Sequence, residues 1–287
     1  MNKVNKLTLQ SDDFPEALRH IPQPPSQLYV QGSTEALLAK TVIAVVGSRK
    51  ITPYGREVTG KIVTGLAPFN ISIVSGLAFG VDITAHKTAL AVGMPTVAVL
   101  PCGLDKIYPV AHRDIAKQIV SHGGALVSEY EPSVPPLRQN FVERNRIVSG
   151  LSTAVLITEA AKKSGTLHTA RFALEQGKSV LAVPGNITSQ MSQGTNNLIA
   201  QGARAARHAQ DVLDECGING KAQQQQIIMG ETEAESRIIA LLQSGVSDGK
   251  TLLEQSNLST EVYAQTITML EISDKIKPLG ADHWAIR

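Results

Sequence analysis

Six short apolar segments, VIAVV, ISIVS, TVAVL, GALVS, AVLIT and SVLAV, succeed one another between Val42 and Val183, separated by stretches of helical periodicity. No other feature restricts the fold as strongly. Runs rich in valine and isoleucine, with little polar alternation, suit strands covered on both faces. Their alternation with helices predicts a Rossmann-like α/β domain with a parallel or mixed sheet, joined by right-handed crossovers. In such a sheet the loops that leave the strands gather at the carboxyl edge, where unsatisfied helix N–H groups attract anions.

At 287 residues and 43% apolar content the chain has room for one large core and one small one. The predicted organisation is an extension over 1–40 packed on the core, a Rossmann-like domain over 41–217, a Gln-rich linker over 218–230 and a small domain over 231–287. The first stretch holds DDFPEALRHIPQPPSQLYVQG, whose four prolines predict an extended segment. In the last, Ile238, Ile239, Leu241 and Leu242, then Leu252 and Leu253, then Tyr263, Ile267 and Leu270 predict three helices ahead of a terminal β-ribbon. That order suits a winged-helix-like module. Its third helix offers Glu261, Gln265, Thr268 and Glu271 where a DNA-reading helix normally presents Arg, Lys or Asn, so contact with protein is expected.

The net charge of +2 is unevenly spread: the final 57 residues carry nine acidic and five basic side chains, leaving a moderately basic body suited to an anionic partner. No run approaches the length of a membrane span and the start lacks an apolar signal region, which predicts a cytoplasmic protein without membrane contact. Cys102 and Cys216 are far apart and lack metal-ligand spacing, so neither a disulfide framework nor a metal site is expected.

Four segments carry the candidate chemistry. After the first strand, Gly47 permits close approach, Ser48 supplies a hydroxyl and Arg49 can grip a phosphate with paired hydrogen bonds; otherwise Gly47 only turns the chain and Arg49 meets a carboxylate. The G-x-G-x-x-G spacing of dinucleotide sites is missing, which disfavours a nicotinamide cofactor. Ser75, Gly76, Ala78 and Gly80 form a second small-residue turn. Asp82 and His86, four apart on the helix behind it, are expected to act as a structural pair rather than an acid/base couple. Cys102 is expected to be buried and inert. Phe141, Arg144, Asn145 and Arg146 combine an aromatic face with two arginines around an amide, as single-strand binding uses. Ser164, Gly165 and Thr166 form a late glycine-threonine loop.

GSRKITPYG, SGLAFGVDITAH, VLPCGLDKIYP, LVSEY, NFVERNRIVSGLS, SGTLHTARFALEQGKSVLAVPG and SQGTNNLIAQGA, taken in order, resemble the DNA-processing protein A family, also called Smf. The N-terminal DDFPEALRHIPQPPSQLYVQG is similar to that family's lead-in. The resemblance implies sequence-independent single-stranded DNA binding, protection of incoming strands in natural transformation (competence), loading of the RecA recombinase, homodimers, and no catalytic turnover or cofactor. It makes Gly47, Ser48 and Arg49 the phosphate-gripping loop, Ser75, Gly76, Ala78 and Gly80 a second cradle, and Phe141 to Arg146 the rest of a strand groove. The chain departs from the pattern in lacking the usual N-terminal helical module, in Val142 where proline is common, and in His112 where asparagine is usual.

Two alternatives belong to other classes. A nucleotide-processing enzyme such as a phosphoribohydrolase uses a similar glycine-threonine loop, but places a catalytic glutamate where His168 and Thr169 stand; Glu159 or Glu175 would have to replace it in space. Alternatively, the C-terminal module would read duplex DNA, against the character of its third helix.

Overall fold

The computed structural model describes residues 4–218, 232–243, 246–273, 275–280 and 282–286, so the predicted linker lies outside the described residues except for Ile218. The chain divides into two compact units, Met1–Gly220 and Lys221–Arg287.

The first unit opens with β1 (Val4–Thr8), a turn of helix α1 (Glu16–Arg19) and β2 (Gln27–Gly32). It then alternates β3 (Thr41–Val46), α2 (Pro53–Leu66), β4 (Ile71–Ser75), α3 (Val81–Ala91), β5 (Thr96–Val99), α4 (Arg113–Ser121) and β6 (Ala125–Ser128). After these come α5 (Arg138–Leu151), β7 (Ala154–Ile157), α6 (Thr166–Glu175), β8 (Ser179–Ala182), α7 (Gln193–Ala200), β9 (Arg204–Ala205) and α8 (Ala209–Glu215). The nine strands form one sheet in the order β1-β2-β6-β5-β4-β3-β7-β8-β9. From β6 to β9 all neighbours are parallel; β2 joins β6, and β1 joins β2, antiparallel.

Alternate residues of each central strand feed different cores. Val42, Ala44 and Val46 of β3, with Val155 and Ile157 of β7, pack under α5 and α6. Ile43 and Val45, with Ile71, Ile73 and Leu156, pack under α2, α3 and α8. Each large aliphatic side chain buried this way stabilises the fold by ~2 kcal/mol, which is why both faces must be covered. The resulting two-sided burial is the reason the strand sequences lack polar alternation.

The N-terminal extension supplies the edge strand β1, and its proline-bearing stretch, expected to be extended, holds a helical turn before the extended β2. Phe14, Leu18 and Ile21 are buried with Ile147, Val148 and Leu151 of α5. Arg19 donates to the carbonyls of Leu9 and Ser11 and lies over the Phe14 ring. The segment therefore braces α5 from behind.

In the second unit, α9 (Glu233–Gln243), α10 (Gly249–Ser256) and α11 (Thr260–Ile272) precede an antiparallel ribbon of β10 (Ile276–Gly280) and β11 (His283–Ile286). The carboxylate of Asp248 caps α10 by accepting from the Thr251 amide at 2.9 Å, and left-handed Asn257 ends that helix. Ile238, Ile239, Leu242, Leu252, Ile267, Leu270 and Ile276 form its core. Glu261, Gln265 and Thr268 are exposed, and Glu271 is half-buried. Among the described residues no helix is long and apolar enough to cross a membrane.

Candidate functional site

Strand order reverses between β3 and β7: β4 and β5 follow on one side of β3, β7 and β8 on the other. Loops leaving β3 and β7 therefore part, and the crevice between them is where open α/β sheets bind ligands. A cavity of about 370 Å³ opens there. Its walls are Gly47, Ser48, Arg49 and Lys50 after β3, Phe141, Val142, Arg144 and Asn145 on α5, and Ser164, Gly165, Thr166, His168 and Thr169 at the start of α6. Val46, Ala78, Asp82, Ala161 and Met191 complete it.

The turn after β3 is held from inside and open outside. The Ser48 amide donates to the Glu159 carbonyl at 2.7 Å, and the Ser48 hydroxyl accepts from the Lys50 amide at 3.0 Å. Thr52 caps α2 by accepting from the Gly55 amide, with Pro53 in the first turn. These bonds fix the backbone and leave Arg49 and Lys50 exposed. Arg49 meets no carboxylate within salt-bridge distance among the described residues; its guanidinium lies 5.3 Å from the centre of the Phe141 ring. A cation held over an aromatic face keeps its charge available to an anion.

The turn after β4 corrects the expected second cradle. The amides of Gly76 and Ala78 donate to Asp82 Oδ2 at 3.1 and 3.4 Å, so a side chain of the protein already occupies the anion position. Ser75 is fully buried and its hydroxyl donates to the Val45 carbonyl at 2.7 Å. A side chain on Gly76 would strike the Arg144 guanidinium. Gly80, with φ of 81°, packs so closely that a Cβ would fall on the Ser48 carbonyl, while the Val81 amide donates to that same oxygen at 3.1 Å. Of Ser75, Gly76, Ala78 and Gly80, only Ala78 reaches the main cavity.

The expected Asp82–His86 pairing is also replaced. His86 is fully buried and bonds Thr96 Oγ1 at 2.8 Å through Nδ1, while Asp82 faces the turn. Burial, reinforced by the charges of His112 and Arg144, lowers His86 to about 3 and keeps it neutral. Burial raises Asp82 above the ordinary carboxylate value, opposed by Arg144, the two turn amides and Arg49.

Helix α5 divides the four residues of its motif. Phe141 is half-buried, with the Tyr108 ring edge-on at 5.3 Å. Arg144 is only 4% exposed: Nη1 donates to the carbonyls of Gly76 and Val99, and Nε to Asn145 Oδ1 at 3.2 Å. This arginine ties the ends of β4 and β5 together as the floor of the cavity. Burial lowers it to about 10, partly offset by Asp82, which leaves it charged at neutral pH. Arg146 corrects the expectation of a second phosphate grip. It pairs with Glu129 and lines a separate small hollow with Pro22, Gln23 and Phe172.

At the third loop, Ser164 Oγ accepts from the Thr166 amide at 3.3 Å and the Ser164 carbonyl from the Leu167 amide at 3.1 Å, so the first amides of α6 have partners within the loop. The amino end of α6 opens into the cavity with its partial positive charge. The two candidate glutamates are committed elsewhere. Glu159 accepts from the Thr52 amide at 2.9 Å and hydroxyl at 2.6 Å, and exposed Glu175 pairs with Arg171. The buried Cys102 thiol donates to the Lys106 carbonyl, and burial pushes it up to about 11. Among the described residues no group of three His, Cys, Asp or Glu side chains is placed to hold a metal ion.

Sequence reasoning missed Phe79 and Tyr108, exposed aromatics that line a hollow of about 40 Å³ beside the cavity with Arg49, Gly76, Phe141 and Arg144. It also missed Lys50 and Met191. The proline after Tyr108 in the KIYP segment was the only local signal, and Phe79 differed from a core aromatic only by position. His112 stacks edge-on with Phe79 at 4.6 Å and bonds the Leu77 carbonyl through Nδ1 at 2.7 Å.

A switch-point cavity lined by a lysine, by an arginine unpaired among the described residues and by the start of α6 marks the fold unit as a Rossmann-like α/β protein with cationic side chains at its sheet edge. Its sequence matches DNA recombination-mediator protein A over residues 5–217, and the chain belongs to that family. It is 45% identical to protein Smf of Escherichia coli strain K12 over 204 residues, covering 71% of this chain and 54% of that one. With protein Smf of Synechocystis the identity is 39%, covering 79% and 58%. The chain thus spans little more than half of those two relatives. The crystal structure of DNA processing protein A from Streptococcus pneumoniae is 38% identical, with a TM-score of 0.70 and 74% of each chain covered. A solved structure of DNA processing protein A from Helicobacter pylori is 34% identical, with a TM-score of 0.66, covering 75% of this chain and 97% of that one.

Proposed function

We propose that the protein is a single-stranded DNA-binding recombination mediator that grips backbone phosphates in the switch-point cavity without reading sequence. The observation that carries this is Arg49: exposed, unpaired among the described residues, poised over Phe141, and lining the same cavity as the start of α6. Arginine and glycine-loop amides suit a phosphate, and a half-buried aromatic beside them suits a base stacked next to it. The Helicobacter pylori relative has a described single-stranded DNA binding mode, and the shared family supports extending that ligand to this chain. Gly47, Ser48, Arg49, Ser164, Gly165 and Thr166 are the proposed phosphate contacts, with Asn145 and Ala78 at the walls and Phe141 as the stacking platform.

On this reading the protein protects incoming strands in natural transformation, loads RecA, pairs as a homodimer and works in the cytoplasm, with no turnover of its own. Residues 41–217, braced by 1–40, form the DNA-binding domain; 231–287 form a winged-helix-like module that contacts protein. A phosphoribohydrolase activity is disfavoured by the commitment of Glu159 to Thr52 and of Glu175 to Arg171.

Fluorescence anisotropy with single- and double-stranded oligonucleotides of equal length tests the proposal. We expect tighter binding of single strands, affinity falling as salt rises, and loss on Arg49→Ala regardless of sequence. Equal binding by wild type and Arg49→Ala would overturn the site.

A further inference from the structure

We propose that Asp82 makes the cavity selective for the internal phosphodiester of a strand over the phosphate monoester of a free nucleotide, a strand end or inorganic phosphate. This rests on the cavity being a phosphate site. Asp82 lines that cavity although only 6% of its surface is exposed. Oδ2 is occupied by the amides of Gly76 and Ala78, whereas Oδ1 has no hydrogen-bond partner among the described residues and is not sealed from solvent. Asp82 thus borders the same space as Arg49, Arg144 and Lys50.

A site built only to attract phosphate has no use for an acceptor there. A diester carries one negative charge and keeps it under all ordinary conditions. A monoester approaches two near pH 8, its second ionisation lying near pH 6. Cations alone favour the dianion, and the charge on Asp82 subtracts from that preference. Its repulsion scales with ligand charge, so it penalises the dianion about twice as heavily in free energy as the diester. Free nucleotides and phosphate are the abundant competitors a strand-binding cavity meets, and a negative charge at its floor weakens them more than it weakens the linkage found along a polymer.

Thymidine 5′-monophosphate and its methyl ester differ in charge by one methyl group, and each can be titrated at pH 8 against labelled oligo(dT) lacking terminal phosphates. With the full wild-type chain we expect the methyl ester to compete at least as well as the monophosphate. Asp82→Asn keeps an oxygen for the Gly76 and Ala78 amides while removing the charge. It is expected to improve the methyl ester about threefold and the monophosphate about ninefold, the square of that factor, reversing the order. A wild-type preference for the monophosphate, or an unchanged ratio in Asp82→Asn, overturns the role of Asp82. The wild-type comparison decides alone if thermal melting shows the variant unfolded. Failure of oligo(dT) to bind, or binding indifferent to Arg49→Ala, overturns the phosphate site instead; intact binding with an unshifted ratio leaves that site standing and removes only the selectivity.

Discussion

The turns after β3 and β4 are made of the same kinds of residue, Gly-Ser-Arg in one and Ser-Gly-Leu-Ala in the other, and both leave parallel strands at one sheet edge. In the first, the anchoring bonds go to the Glu159 carbonyl behind the turn and to the turn's own Ser48 hydroxyl, which leaves the cationic side chains outside. In the second, Asp82 reaches back from α3 and takes the amides for itself. The two arginines follow the same division: Arg49 is exposed and unpaired among the described residues, whereas Arg144 is spent on carbonyls of its own fold. Small residues at a strand end thus create donors, and whether the chain supplies its own acceptor decides if those donors serve a ligand or the fold.

Substitutions can break that contrast. The largest effect is expected for Arg144→Ala, which strands the Gly76 and Val99 carbonyls in the interior and leaves Asp82 without its strongest counter-charge. We expect a loss of roughly 3–5 kcal/mol in denaturant unfolding; a loss below about 1 kcal/mol would place Arg144 on the ligand side of the comparison. Arg49→Ala should do the reverse, leaving stability within about 0.5 kcal/mol while weakening oligonucleotide binding about 50-fold, or ~2.3 kcal/mol. The salt dependence should flatten by about 0.7 in log–log slope for one lost strand phosphate.

The helix behind the second turn supplies a pH test. Because His86 is held neutral down to about 3, the unfolded chain binds a proton below the ordinary imidazole value of 6.5 that the folded chain refuses. The stability at stake is fully present above about pH 6.5 and declines as pH falls through that value. By pH 5 the loss reaches ~2 kcal/mol, and His86→Gln should flatten this part of the profile. An identical slope in the variant would assign the acid sensitivity elsewhere. The smallest effect is expected for Phe141→Leu, which keeps apolar contact but removes the π-face under Arg49: about a fivefold loss of single-strand affinity, uniform across sequences, by the same titration.

The sheet was legible because strands buried on both faces have no polar positions to obscure them, and Val42 to Val46 shows this in five consecutive residues. The edge strand VNKLT was not, because only Leu7 of its five residues is buried. Gly47 to Arg49 and Ser164 to Thr166 could be placed at the site from local order alone. The role of Asp82 could not, since its reach back to Gly76 depends on left-handed backbone at Leu77 and Gly80, with φ of 56° and 81°. A sequence records that Arg144 and Arg146 are charged and neighbouring, but α5 turns them toward different partners: strand-end carbonyls for one, Glu129 for the other. Tyr108 and Phe79 reach the site by tertiary packing, which no spacing rule encodes.

The parallel run of the sheet has a mechanical consequence. The loops after β3 and β7 anchor two walls of the cavity, and β3 is hydrogen-bonded to β4 on one side and β7 on the other. Tension applied to a polymer held there and directed along the strand axes would load those ladders in shear, so that many bonds resist together rather than unzipping singly. The grip would then be stiffest in the direction in which a strand is drawn away from the carboxyl edge, and yield more readily to a sideways pull.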